Sequence, residues 1–91
     1  MPNYEQIEKD LIPNLKPFTH SHSMRAEIRD GIYLIYSYTT PIAWVNVENP
    51  AMQWVNEKKY SRTTSKQQTI VKRGLARLNA SPYTPHGTVT L

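Results

Sequence analysis

Cysteine is absent from the 91 residues, which excludes a disulfide framework and a thiolate metal site. No apolar run approaches the ~18 residues of a membrane span. The start lacks the charged-then-apolar order of a secretion signal, so an intracellular location is the expectation. Glycine occurs three times, at Gly31, Gly74 and Gly87, too far apart to build a glycine-rich phosphate loop. Acidic residues stop at Glu57. Residues 1–57 set Lys9, Lys16, Arg25 and Arg29 against seven acids, a balance of −3, whereas residues 58–91 carry seven bases and no acid, +7. A chain polarised in this way suggests an acidic partner, nucleic acid being the most common. The competing account is a solvated face whose cations pair with the acidic first half.

What the sequence has in strength is the stretch from Tyr60 to Leu78. It opens on Ser61, Thr63, Thr64 and Ser65, hydroxyls suited to capping free backbone N–H groups. Thr64 with Gln67, and Ser65 with Gln68, have capping-box spacing. At 100° per residue, Ile70, Val71, Gly74, Leu75 and Leu78 share an arc that would pack on a core. Arg62, Lys66, Arg73 and Arg77 fall beside it, giving a basic ridge about 20 Å long.

The rest of the chain reads as a small single domain whose limited core draws on large aromatics: Tyr4, Phe18, Tyr33, Tyr36, Tyr38, Trp44, Trp54, Tyr60 and Tyr83. Residues 3–12 form a short helix, capped by Asn3 and ended by Pro13. Asn14 to Pro17 is a connector, and Phe18 an anchor on the core. Met24 to Asp30 alternates apolar and charged residues as a half-buried strand, Met24, Ala26 and Ile28 inward. Asp30-Gly31 signals a two-residue hairpin turn. Ile32 to Tyr38, rich in β-branched and aromatic residues, is the second strand. Ser37 to Pro41 is a bend, Ile42 to Val47 a third strand with Trp44 facing away from Ala43 and Val45, and Ala51 to Val55 a fourth. The expectation is an α+β fold: an antiparallel sheet of three to four strands over residues 24–55, with one long C-terminal helix (63–79) packed on a face. Asn79 is placed as C-cap before Ser81-Pro82. Residues 80–91 form a tail able to add an edge strand.

The block Tyr36-Ser37-Tyr38-Thr39-Thr40-Pro41-Ile42-Ala43, followed by Lys59-Tyr60-Ser61-Arg62-Thr63-Thr64-Ser65-Lys66, resembles a family of small uncharacterised bacteriophage proteins. That family shares a YSYxTxIA block and a later KYSxTTSKHQ block. The resemblance spans Tyr33 to about Arg73 and departs at Gln67, where the family pattern usually has histidine. It implies a phage origin and action in the cytoplasm of a bacterial host cell, and it implies no activity. By the helical count Gln67 lies near the sheet, where its amide would hydrogen-bond the strands rather than act as a general base.

No arrangement of residues amounts to a catalytic site. The hydroxyls of Ser61 to Ser65 have no histidine or carboxylate beside them, so an activated nucleophile is not indicated. His20 and His22 at i, i+2, joined by His86, invite a metal, but no Asp, Glu or Cys completes a closed site; the stretch is read as a polar loop, with no metal and no cofactor. The aromatics are read as core, in preference to the alternative that exposed tyrosines or Trp54 stack on unpaired bases. The expected function is therefore non-enzymatic: nucleic-acid binding by Lys58, Lys59, Arg62, Lys66, Arg73 and Arg77. The alternative is a small phage-encoded inhibitor or adaptor docking on an acidic host-protein surface.

Overall fold

The computed structural model describes residues 2–80. Asn3 caps the first helix as expected, its Oδ1 accepting from Gln6 N at 2.8 Å. Helix α1 (Tyr4–Gln6) runs straight into a π-helical stretch, Ile7–Leu11, closed by Ile12 N donating to Ile7 O at 2.9 Å. The wider turn brings Ile7, Leu11 and Ile12 onto one buried side.

Five strands follow: β1 (Phe18–His20), β2 (Met24–Arg29), β3 (Ile32–Ser37), β4 (Thr40–Asn46) and β5 (Gln53–Val55). They form an antiparallel sheet in chain order, β1-β2-β3-β4-β5. The α+β class stands, but the sheet has one strand more than the three to four expected. The extra strand, β1, lies at Phe18, read from sequence as an anchor after a connector. Three residues are too few to show an alternating pattern, and β1 is defined by its pairing, Phe18 opposite Ala26 and His20 opposite Met24. The Asp30-Gly31 turn forms as expected, with φ of 52° and 77°, the left-handed pair that suits a tight hairpin.

The bend expected at Ser37 to Pro41 is a tight turn at Tyr38-Thr39, and β4 already starts at Thr40. Pro41 lies where the register shifts, Ile35 pairing with Ala43 and Tyr36 with Pro41. The extra residue turns Ile42 inward beside Ala43, and both are fully buried. A bulge is also where a strand tolerates a proline's missing N–H.

Helix α2 (Arg62–Ala80) and the N-terminal helical segment cover the same sheet face. Ile70, Val71, Leu75 and Leu78 meet Ile7, Leu11, Ile12 and Leu15 above Ala26, Tyr33, Ile35, Ala43 and Val45. Gly74 lets the two helical segments close up, since a Cβ there would lie 2.8 Å from Ile12 Cβ and Cγ2. Asn79, expected as the C-cap, lies inside α2 instead. Its side-chain amide meets that of Gln53, Gln53 Nε2 donating to Asn79 Oδ1 at 3.1 Å, and so ties α2 to β5. The tail after Ala80, with its possible edge strand, lies outside the described residues.

Candidate nucleic-acid interface

The cap of α2 differs from the sequence expectation. Ser61, not Thr64 or Ser65, caps the helix: its Oγ accepts from Thr64 N at 3.2 Å, and its carbonyl accepts from Ser65 N at 2.9 Å. Thr64 is turned inward, where its hydroxyl lies 2.9 Å from that of Ser37. Gln67 and Gln68 therefore do not reach back to caps. Gln67 is fully buried, and its Nε2 donates to Ser23 O at 3.0 Å and Tyr4 Oη at 3.2 Å. This agrees with the expectation of a hydrogen-bonding residue against the sheet, the partner lying at the entry to β2. Gln68 Nε2 donates to Asn56 O at 2.8 Å and Lys58 O at 2.9 Å. It thereby fastens the segment after β5 to the first turns of α2.

That fastening fixes where the cations stand. Lys58, Lys59 and Arg62 are exposed around the start of α2, with Lys66 one turn further on. Lys59 and Arg62 have no ion pair among the described residues, while Lys58 Nζ lies 5.6 Å from the centre of the Tyr60 ring and Lys66 Nζ 5.2 Å from that of Tyr4. The far half of the ridge is different. Arg73 and Arg77 both face Glu8, at 3.8 and 3.7 Å, and Lys72 pairs with Glu57. The six cations are thus split: four cluster around the positive end of the helix dipole, and two share a carboxylate from the N-terminal segment. The competing account, pairing with the acidic half, holds for that second group.

The aromatics depart furthest from expectation. Tyr33 and Phe18 are buried, but Tyr36 and Trp44 are half-buried, and Tyr38, Trp54 and Tyr60 are exposed; Tyr83 lies outside the described residues. Strand parity is the reason. With Tyr33, Ile35 and Ser37 turned to the helices, Leu34 and Tyr36 point to the other face, as do Trp44 and Trp54. Both helical segments pack on one side of the sheet, so this second face has no cover among the described residues. The alternation already marked Trp44 as facing away from Ala43 and Val45; the same count carried to Tyr36 and Trp54 would have found the rest.

His20 is engaged locally. Its ring lies 4.5 Å from that of Tyr4, and Nδ1 donates to Pro2 O at 2.7 Å. His22 is exposed in the β1–β2 turn. Among the described residues no three His, Asp or Glu side chains converge as metal ligands, and His86 lies outside them. No described helix is long and apolar enough to cross a membrane.

Residues 8–73 match the profile of a family of unknown function (DUF8033). No curated protein and no solved structure matches the chain.

Proposed function

The chain belongs to that family of unknown function, and we propose that it is a non-enzymatic accessory protein that binds nucleic acid. Lys58, Lys59, Arg62 and Lys66 form the principal phosphate-contacting group; Arg73 and Arg77, which face Glu8, extend it where that carboxylate releases them. The observation that carries this reading is the cluster of exposed cations around the start of α2, in a region from residue 58 onward that contains no acid. Phosphate contacts need cations free to exchange their counterions, and Lys59 and Arg62 have no competing carboxylate among the described residues. Gln68 holds the segment that carries Lys58 and Lys59 against the helix, so the cluster is pre-positioned. The resemblance of the Tyr36–Ala43 and Lys59–Lys66 blocks to bacteriophage proteins supports a phage origin and a place of action in the bacterial cytoplasm.

The test is binding to labelled DNA and RNA by anisotropy, at several salt concentrations, for wild type and a Lys58/Lys59/Arg62/Lys66→Glu variant. Wild type should bind, weaken steeply with salt, and lose binding in the variant. Pulldown from bacterial lysate with and without nuclease provides the counter-test. A single host polypeptide retained after nuclease, with no nucleic acid bound in vitro, would replace this reading with that of an inhibitor or adaptor of a host protein.

A further inference from the structure

We infer that the uncovered face of the sheet is a stacking platform for unpaired bases, so that the nucleic acid bound is single-stranded; this rests on the nucleic-acid reading above and names its substrate class. The register sets the platform. Leu34 lies opposite Trp44 and Trp44 opposite Trp54, a row across β3, β4 and β5, with Tyr36 in the neighbouring row toward β2. Trp54 is 41% exposed, although it is a large aromatic on a strand only three residues long. Arg25 from β2 lies over the Tyr36 ring, 4.1 Å from its centre. The face therefore already holds one guanidinium over a ring, the kind of cation–ring contact that adds to base stacking on such surfaces.

Charge argues for the occupant. Arg25 and Arg29 flank Glu27 on β2 and both pair with it, leaving one net positive charge along that side of the row. On the other side the chain leaves β5 at Val55 and, past Glu57, whose carboxylate pairs with Lys72, reaches exposed Lys58 and Lys59 within four residues. The aromatic row thus runs from the arginines of β2 to the β5 edge, from which the chain continues to Lys58 and Lys59, across a width of about 14 Å for four strands at their usual spacing. A second copy of the chain packed face to face would instead bury the Arg25–Glu27–Arg29 group, and desolvating such ions carries a heavy penalty. A strand of nucleic acid stacks on the rings and leaves these charges at the solvent edge, beside its phosphates. A duplex offers no free base faces to this surface, so the platform selects single strands.

The experiment titrates an unstructured oligothymidylate and a blunt DNA duplex into wild type, Trp54→Ala, Trp54→Phe and the Lys58/Lys59/Arg62/Lys66→Glu variant. It reads tryptophan fluorescence and anisotropy, with circular dichroism confirming that each variant is folded. The expected result is quenching of tryptophan emission by the single strand and tighter binding to it than to the duplex. Trp54→Ala should lose about tenfold in single-strand affinity, the effect of one stacked base, with duplex affinity unchanged, and Trp54→Phe should restore most of it. Equal binding of both nucleic acids, unchanged by Trp54→Ala yet abolished by the glutamate variant, would overturn the platform and leave the nucleic-acid reading intact. Absence of binding to either ligand at low salt would overturn both. Sedimentation showing a dimer that Trp54→Ala dissociates would assign the face to a second copy and overturn the platform.

Discussion

At Gly74 two physical preferences oppose each other within a single side chain. Alanine favours a helix interior over glycine by about 1 kcal/mol, but its Cβ would lie 2.8 Å from Ile12 Cβ. That atom is next to the backbone and cannot swing away, so the N-terminal segment as a whole must shift, an overpacking cost of about 1–3 kcal/mol. Gly74→Ala should therefore destabilise the protein by about 1 kcal/mol in urea unfolding; a gain in stability would show that the two segments are not in close contact. Tyr33 supplies the second test. Its hydroxyl donates to Lys16 O at 2.7 Å, and its burial pushes the hydroxyl's pKa far above the tyrosine range. Tyr33→Phe should cost about 1–3 kcal/mol at neutral pH, because the Lys16 carbonyl loses its donor. The same residue sets an alkaline limit. Above about pH 10 the unfolded chain releases this proton while the native state keeps it, so the unfolded state binds fewer protons and stability falls as pH rises. Urea midpoints taken from about pH 9 upward should drop in wild type and drop less in Tyr33→Phe. Equal slopes would mean that the hydroxyl ionises in the folded protein as readily as in the unfolded one.

The elements that carry their own signal in the sequence are the ones the structure repeats. The period of Ile70, Val71, Leu75 and Leu78, and the Asp30-Gly31 turn, depend on residues a few positions apart, and both appear where the local chemistry puts them. Strand β1 has no such signal and exists because β2 offers it an edge. Likewise, Gln67 and Gln68 have a capping spacing, yet α2 starts one turn earlier than that spacing requires, and both amides serve distant backbone instead. The candidate site was legible as a set of cations but not as two groups, because Glu8 is more than sixty residues from Arg73 in the chain. Its carboxylate is only 14% exposed and faces both Arg73 and Arg77, so it competes with phosphate for them. Replacing it separates the two roles. Glu8→Gln should change stability by less than about 1 kcal/mol, since both arginines are largely solvated. It should tighten nucleic-acid binding, and steepen its salt dependence, because two more cations become free to displace counterions. Unchanged affinity in that variant, together with a salt slope that counts four phosphates rather than six, would remove Arg73 and Arg77 from the interface.

Across the whole molecule, the acidic first half and the basic last third are folded against each other only in part. The N-terminal segment lies along α2 and sets Glu8 against Arg73 and Arg77, whereas at the start of α2 it offers the uncharged Tyr4 to Lys66 and Gln67, and Gln68 ties that end to the segment after β5. How far the basic surface extends then becomes a measurable number. Log affinity for duplex DNA falls with log salt at about −0.9 per phosphate neutralised. Contact through Lys58, Lys59, Arg62 and Lys66 alone gives a slope near −3.6, whereas recruitment of Arg73 and Arg77 takes it to about −5.4. With Glu8 holding both arginines, the wild-type slope should lie at the lower value, and Glu8→Gln should move it toward the higher. A wild-type slope already near −5.4, unaffected by Glu8→Gln, would mean that phosphate displaces the carboxylate without hindrance and that the ridge acts as one surface. A slope near zero would be incompatible with a phosphate interface of any extent on this molecule, and would direct attention from its cations to the aromatic face of the sheet.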